Sequence, residues 1–327
     1  MPLAERPVPP HTGRLPLRVG TRNSPLALAQ TGTFLAQISR FCPVMRDLDA
    51  FEKLEIRTTG DRVQDRRLAD IGGKGLFAKE IHEALRDRRI DFAVHSLKDL
   101  ETELPEGILL ACTMEREDPR DALIVGPGLA TPDPADPLAC LPAGAVIGTA
   151  SVRRQAQILH LRPDLTIATL RGNVNTRLRR IAEGACAASL LALAGLSRLG
   201  LAARASAVLE PDLMVPAAGQ GIIGITVRAD NTELIELLAA IEDRRARAVA
   251  TAERALLAAL DGSCRTPIGG YARLRADGLL ALTGLVARPD GSFLLKHTLA
   301  GAPDDARRIG AGLGDRLRAE APADLFA

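Results

Sequence analysis

Short apolar runs alternate with longer stretches of helical spacing through the first two thirds of the chain. LRVG (17–20), DFAVHS (91–96), AVIGT (145–149) and LTIATL (165–170) read as buried strands. Pro25, following Thr21-Arg22-Asn23-Ser24, fits the first position of a helix continued by LALAQTGTFLAQI. ASVRRQAQILHL (150–161) and TRLRRIAEG (176–184) read as helices after the third and fourth of these strands. Strands alternating with helices predict an α/β protein with largely parallel sheets. Two segments break the alternation: the charged, Pro-containing REDPRDALIV (116–125), which ends in a new strand, and LEPDLMVPAAGQG (209–221), which precedes the strand IIGITVR. The end of the chain has a different rhythm. LLALTGLVA, the turn RPDG and SFLLKHTLA predict a hairpin, and PDDARRIGAGLGDRLRA predicts a helix, together a small α+β unit.

One device recurs where strands end. A small or hydroxyl residue follows the strand, and an arginine or lysine stands at the mouth of the next helix. It occurs at Thr21-Arg22-Asn23-Ser24, at Ser96-Leu97-Lys98-Asp99, at Thr149-Ala150-Ser151-Val152-Arg153-Arg154, and at Arg171-Gly172-Asn173 with Thr176-Arg177. Ligands of open α/β sheets bind outside the carboxyl ends of strands. Helix N-termini offer free N–H groups there, and arginine adds a planar fork for carboxylate or phosphate. One such arginine would be an ordinary solvated charge. Four similar devices point to a polyanionic ligand.

Composition narrows the class. The chain has 327 residues, enough for two or three domains, and aromatic residues make up only 2%, so its cores are aliphatic. Lysine and arginine total 42 against 40 acidic residues, for a net charge of +2 with the two signs interleaved. That balance argues against a nucleic-acid protein, which would cluster basic residues and stack bases on aromatics. Cys42, Cys112, Cys140, Cys186 and Cys264 form no CxxC, and the odd count suggests reduced thiols and a cytoplasmic protein. His11, His82, His95, His160 and His297 form no metal-binding spacing with them, so no metal is expected. The Pro-rich residues 1–16 read as a disordered tail with no apolar signal segment. The uncharged run Gly184–Ser197 is too short to cross a bilayer, so no membrane partner is expected.

Two glycine motifs lack their structural context. GQGIIG (219–224) matches GxGxxG but precedes a strand, where a dinucleotide fingerprint joins strand to helix. GGKGLF (72–77) has Lys74 but no hydroxyl after it and no upstream P-loop glycine, and reads instead as a loop of the kind that covers sites. Cys264, in ALDGSCRTPIGGYA, is unlike a core cysteine: its neighbours are Ser263 and Arg265, in a turn after a helix.

These segments together resemble the porphobilinogen deaminase (hydroxymethylbilane synthase) family. The resemblance lies in TRNSPLALAQ, TTGDR, IGGKGLFAKEI, DFAVHSLKDL, EREDPRDALI, GTASVRRQAQI, LRGNVNTRL, AGLSRLGL, AAGQGIIGI and GSCRTPIGGYA, in order from about residue 17 to the end. It implies an α/β protein of three domains: two periplasmic-binding-protein-like (type II) lobes flanking a cleft, plus a small α+β C-terminal domain. The divisions expected are 1–115 with 219–240, 116–218, and 241–327. The implied activity is a transferase of tetrapyrrole biosynthesis, joining four porphobilinogens head to tail into hydroxymethylbilane with loss of four ammonia.

The resemblance also implies roles. Cys264 would carry a dipyrromethane cofactor through a thioether, formed when its soft sulfur adds to the electrophile left after porphobilinogen loses ammonia. The helix before it presents its negative end, which raises a thiol pKa and suits an anchor that reacts once. Asp99 would be catalytic, stabilising positive charge on a pyrrole ring. Ser96, Lys98, Thr149, Ser151, Arg153 and Arg154 would hold the cofactor's carboxylates. Arg22, Ser24, Arg171, Arg177 and Arg198 would hold the incoming substrate, with Gln220 nearby at a crossover. Gly72, Gly73, Lys74 and Phe77 would belong to a lid. The chain departs from the family at Asp70, where some relatives carry lysine, at Asn175, and after Asp99, where a proline is common; it also lacks an Asp often seen early in CAASLLALAGL. The expected enzyme is a cytoplasmic monomer whose partner is a small-molecule substrate. A second reading of the same lobes is a non-catalytic binding module for an organic polyanion, and a third is an Arg-rich nucleic-acid binder.

Overall fold

The computed structural model describes residues 15–62, 75–260 and 266–326. Gly72, Gly73, Lys74, Asp70 and Cys264 lie outside the described residues, as does most of the predicted tail.

The first lobe opens with β1 (Leu17–Arg22), α1 (Pro25–Phe41) and α2 (Pro43–Asp47). Ser24 caps α1 by accepting from Ala27 N at 3.3 Å, with Pro25 behind it as expected. The face of α1 bearing Ala27, Gln30, Thr31, Phe34 and Ile38 is buried. The lobe continues through β2 (Phe51–Ile56), the short α3 (Thr59–Arg62), α4 (Lys79–Arg86), β3 (Phe92–Ser96) and β4 (Ile108–Thr113). The second lobe comprises β5 (Asp121–Val125), β6 (Val146–Gly148), α5 (Val152–Leu161), β7 (Thr166–Ala168) and α6 (Val174–Ala182), then β8 (Ala188–Ala192), α7 (Leu193–Arg198) and β9 (Ala207–Leu209). The chain then returns through β10 (Ile223–Arg228) and α8 (Thr232–Ala239). It ends with α9 (Arg244–Ala259), the strands β11 (Ile268–Leu274), β12 (Leu280–Ala287) and β13 (Leu294–Gly301), and α10 (Ala306–Glu320).

The two lobe sheets share a plan. Their strand orders are β2-β1-β3-β10-β4 and β7-β6-β8-β5-β9. β1 pairs in parallel with β2 and β3, and β6 with β7 and β8. The fourth strand of each sheet runs against both of its neighbours. The sheets are therefore mixed, not largely parallel. The reason is topological: β5 and β10 each enter a sheet from the other lobe, along the crossover segments 114–120 and 210–222, and arrive in the opposite direction. Those crossovers coincide with the two breaks in the sequence pattern.

The third sheet is an antiparallel β11-β12-β13 meander covered by α9 and α10. Gly310 allows the two helices to touch, because a Cβ there would collide with the Ala252 carbonyl of α9. The core of this unit reaches into the first lobe. Leu97, Leu100 and Ile222 are buried in one cluster with Val249, Leu256 and Leu282. In the stretch Leu97-Lys98-Asp99-Leu100, the two leucines are anchored there, each burial contributing on the order of 1.5–3 kcal/mol. Lys98 and Asp99 between them point the other way, into the cleft.

Candidate active site

β3 ends at Ser96 and runs into a single 3₁₀ turn, Leu97–Asp99. Around it lies a solvent-open recess of about 450 Å³, lined by Arg22, Ser24, Gln30, Phe77, His95, Ser96, Lys98 and Asp99 among others. A second recess shares Leu26, Gln30, Ser96 and Lys98 with it and extends to Arg198 and Gly221. The predicted Arg22, Ser24, Phe77, Ser96, Lys98, Asp99 and Arg198 are thus brought together along one groove.

Across the groove, residues at the ends of β6 and β7 face this turn. Thr149 Oγ1 accepts from Ser151 N at 3.1 Å, and Ser151 Oγ caps α5 by accepting from Arg154 N at 3.4 Å. Arg153 and Arg154 follow at the start of α5. Both are buried, and each donates to one oxygen of Asp121 at 2.8 Å. Arg153 also donates to Val215 O and Arg154 to Leu190 O. Burial alone would raise the Asp121 carboxyl pKa, but the two guanidinium groups hold it well below the usual range. Gln220 joins the lobes here: its amide donates to Asp121 Oδ1 at 2.9 Å and accepts from Lys98 Nζ at 3.3 Å.

Charge in this centre is unbalanced. Among the described residues, Lys98, Arg153 and Arg154 gather round the Asp121 carboxylate, with Asp99 beside Lys98, and Arg154 Nε is buried without a hydrogen-bond partner. Lys98 is exposed to the groove, yet the surrounding walls desolvate it and lower its pKa to about 8; Arg154 and Arg153 push it further down while Asp99 and Asp121 oppose them. Arg177, donating to Gly172 O at 2.8 Å, falls to about 10 through burial and the nearby Arg154 and Arg171, with Asp99 opposing. Arg171 reaches across to Gly60 O of the first lobe at 3.5 Å, and Arg198 donates to Gly221 O at 2.6 Å. An orphaned donor among excess cations fits a multiply charged anion, which a carboxylate-bearing dipyrrole would supply.

Three site residues escaped the sequence reading. Gln30 is buried and accepts from Ser96 Oγ at 2.9 Å; a polar residue inside the apolar stripe of α1 was its signal. Asp121 opens an otherwise apolar strand. His95 lies on a strand that reads as core, hydrogen-bonded through Nε2 to Thr226 Oγ1 at 2.9 Å.

His82, packed near His95 with ring centroids 5.9 Å apart, makes a pH prediction possible. Burial lowers His82 to about 4, helped by Arg86, and His95 to about 3, helped by His82 and Arg22. Both stay neutral when folded but take protons when unfolded, so stability falls as pH drops below about 6.5. At pH 5 the loss is roughly 2 kcal/mol per histidine, or roughly 6 °C in melting temperature for the pair. The raised Glu101 carboxyl, 3.9 Å from His82, works in the opposite sense and softens the lower end of the window. Thermal melts at pH 7 and pH 5 test this, and His82→Gln with His95→Gln should flatten the difference. Equal melting temperatures for the wild type at both pH values would contradict it.

Two lobes joined by paired crossovers, with a groove lined by Arg22, Lys98 and Asp99 and further cations beside it, define a protein built to hold and act on a polyanion. The chain belongs to the porphobilinogen deaminase family. The family described as porphobilinogen deaminase, dipyromethane cofactor binding domain, matches residues 17–236, and its C-terminal domain matches residues 248–319. Porphobilinogen deaminase of Paracoccus denitrificans is 47% identical over 311 residues, covering 95% of this chain and 96% of that protein. The chloroplastic enzyme of Pisum sativum is 46% identical, over 95% of this chain and 83% of its own length. Among solved structures, an arginine-specific periplasmic binding protein of Salmonella typhimurium aligns with 71% of this chain and 93% of its own at 12% identity and a TM-score of 0.37.

Proposed function

We propose that this chain joins four porphobilinogen molecules head to tail into hydroxymethylbilane, releasing four ammonia, on a dipyrromethane primer held through Cys264. The observation that carries this reading is Asp99, set at the floor of a groove whose cations come from both lobes. Each porphobilinogen brings two carboxylates and, on losing ammonia, a positive charge delocalised over its pyrrole ring. The groove supplies partners of opposite sign for both.

Asp99 accepts a hydrogen bond from the pyrrole N–H and stabilises the ring cation as the amine departs; as the acid it helps the ammonia leave. Arg22, Ser24, Arg171, Arg177 and Arg198 bind the carboxylates of the incoming ring. Lys98, Arg153, Arg154, Ser96, Thr149 and Ser151 hold the cofactor, which supplies a permanently attached pyrrole to receive the first substrate. Arg154 Nε is a donor without a partner among the described residues, and Arg153 also braces Asp121 and the crossover at Val215. Gln220 ties Lys98 to Asp121 and so fixes the two lobes' charges relative to each other. Phe77 lines the groove beside Arg22 and would belong to a lid with Gly72, Gly73 and Lys74, which lie outside the described residues.

The domain divisions that follow are 1–115 with 219–240, 116–218, and 241–327. No helix of the described residues is long and apolar enough to cross a membrane. The enzyme is assigned to the cytoplasm as a monomer with no nucleic-acid partner. Incubation with porphobilinogen tests the reaction: four ammonia should appear per linear tetrapyrrole formed. Binding of porphobilinogen without ammonia release would favour the non-catalytic binding module instead.

A further inference from the structure

Arg22 is held by three side chains. Its Nε donates to Asp61 Oδ2 at 3.2 Å and its Nη2 to Oδ1 at 2.5 Å, a two-pronged pair. The Phe77 ring lies against the guanidinium, its centroid 4.2 Å from Cζ. Asp99 is the third neighbour, with Oδ2 3.5 Å from Nη1, at the outer edge of hydrogen-bond range. Two carboxylates therefore compete for one cation, and Asp61 has the better geometry.

Asp61 is itself fixed. Thr58 donates to its Oδ2 from Oγ1 at 2.7 Å and from N at 3.4 Å. The turn that carries it is fastened to the segment that carries Phe77. Gly60 N donates to Leu76 O at 2.8 Å, and the Phe77 ring packs on Gly60 so closely that a Cβ there would collide with it. Thr59 N and Oγ1 donate to Glu80 Oε1 at 2.9 and 2.5 Å. The Arg22 contact therefore belongs to a rigid arrangement.

We propose that Asp61 is a positioning residue that holds the Arg22 guanidinium off Asp99, leaving the Asp99 carboxylate available to the substrate. Without the Asp61 charge, Asp99 is the one anion left within reach of Arg22 among the described residues, and Arg22 closes on it. Asp99 is then neutralised, and the fork that should meet a substrate carboxylate is occupied. The proposal rests on the reading of Asp99 as the catalytic group.

Its test is a double-mutant cycle, followed by steady-state and single-turnover kinetics. Asp61→Asn should lower kcat/KM by roughly 10–30-fold, mostly through kcat, with bound cofactor mass and melting temperature kept. In an Arg22→Gln background, where nothing can close on Asp99, the same Asp61→Asn change should cost less than about twofold. Asp61→Glu, which keeps the charge, should recover part of the wild-type rate. Equal losses in both backgrounds would make Asp61 merely structural and overturn the proposal. So would wild-type turnover in Asp61→Asn, or a loss that tracks unfolding or missing cofactor. Asp99→Asn separates the underlying reading: normal turnover there would remove Asp99 from the chemistry whatever the cycle shows.

Discussion

Asp99→Asn is expected to fold normally, bind porphobilinogen normally and turn over roughly 10²–10³-fold more slowly than the wild type. The substitution keeps size and one hydrogen-bond acceptor but removes the negative charge facing the pyrrole cation. Among the described residues it faces Arg22, 3.5 Å away, and the cations of Lys98 and Arg177, and the leucines on either side are anchored in the C-terminal core. Loss of the charge therefore leaves the turn in place, and the deficit falls on the chemical step. Single-turnover release of ammonia, measured beside substrate affinity, checks this. Turnover within a factor of about two of wild type would contradict it, since effects that small are typical of surface positions without a role.

Cys264→Ala is expected to abolish polymerisation altogether and to yield protein without bound pyrroles. A second consequence follows from the charge in the groove. Burial lowers the pKa values of Lys98 and Arg177; Arg154 and Arg153 add to the first and Arg154 and Arg171 to the second, while Asp99 and Asp121 oppose them. A permanently bound polyanion relieves this repulsion in the folded state alone, so the cofactor-free variant should melt several degrees lower, a difference of order 2–3 kcal/mol. That difference should shrink as salt is raised, because screening does part of the cofactor's work. Calorimetry of wild type and variant at low and high salt measures both effects. A variant with wild-type activity, or with the wild-type melting temperature at low salt, would contradict the account.

Much of this arrangement is legible in the chain because its signals are local. The strand-then-hydroxyl-then-arginine device marks the carboxyl ends of β1, β3 and β6, and those ends do line the groove or the charge centre beside it. Ser24 and Ser151 cap their helices where the sequence places helix starts. The antiparallel strands were not legible, since a strand's direction depends on which lobe the chain arrives from. β2 was missed because it is a half-exposed edge strand, with Glu52, Lys53 and Glu55 interrupting any apolar run. Arg153 and Arg154 illustrate a different limit. Their position at a helix start is a sequence fact, but their burial against Asp121 is set by a residue more than 30 positions away, on a strand of the same sheet. Gln30 and Asp121 were hidden because buried polar residues resemble ordinary interruptions of an apolar pattern until their partners are known.

In the proposed function, Cys264 carries the primer on which the chain of pyrroles is built. Intact-mass spectrometry with peptide mapping tests it most directly, on protein from a host that makes porphobilinogen, before and after brief exposure to substrate. The account predicts a protein heavier than its sequence by two linked pyrrole units, all mapping to the peptide containing Cys264, with further units added stepwise on the same peptide after exposure. A fully active protein of unmodified mass, or one whose added mass maps to any other residue, would contradict it.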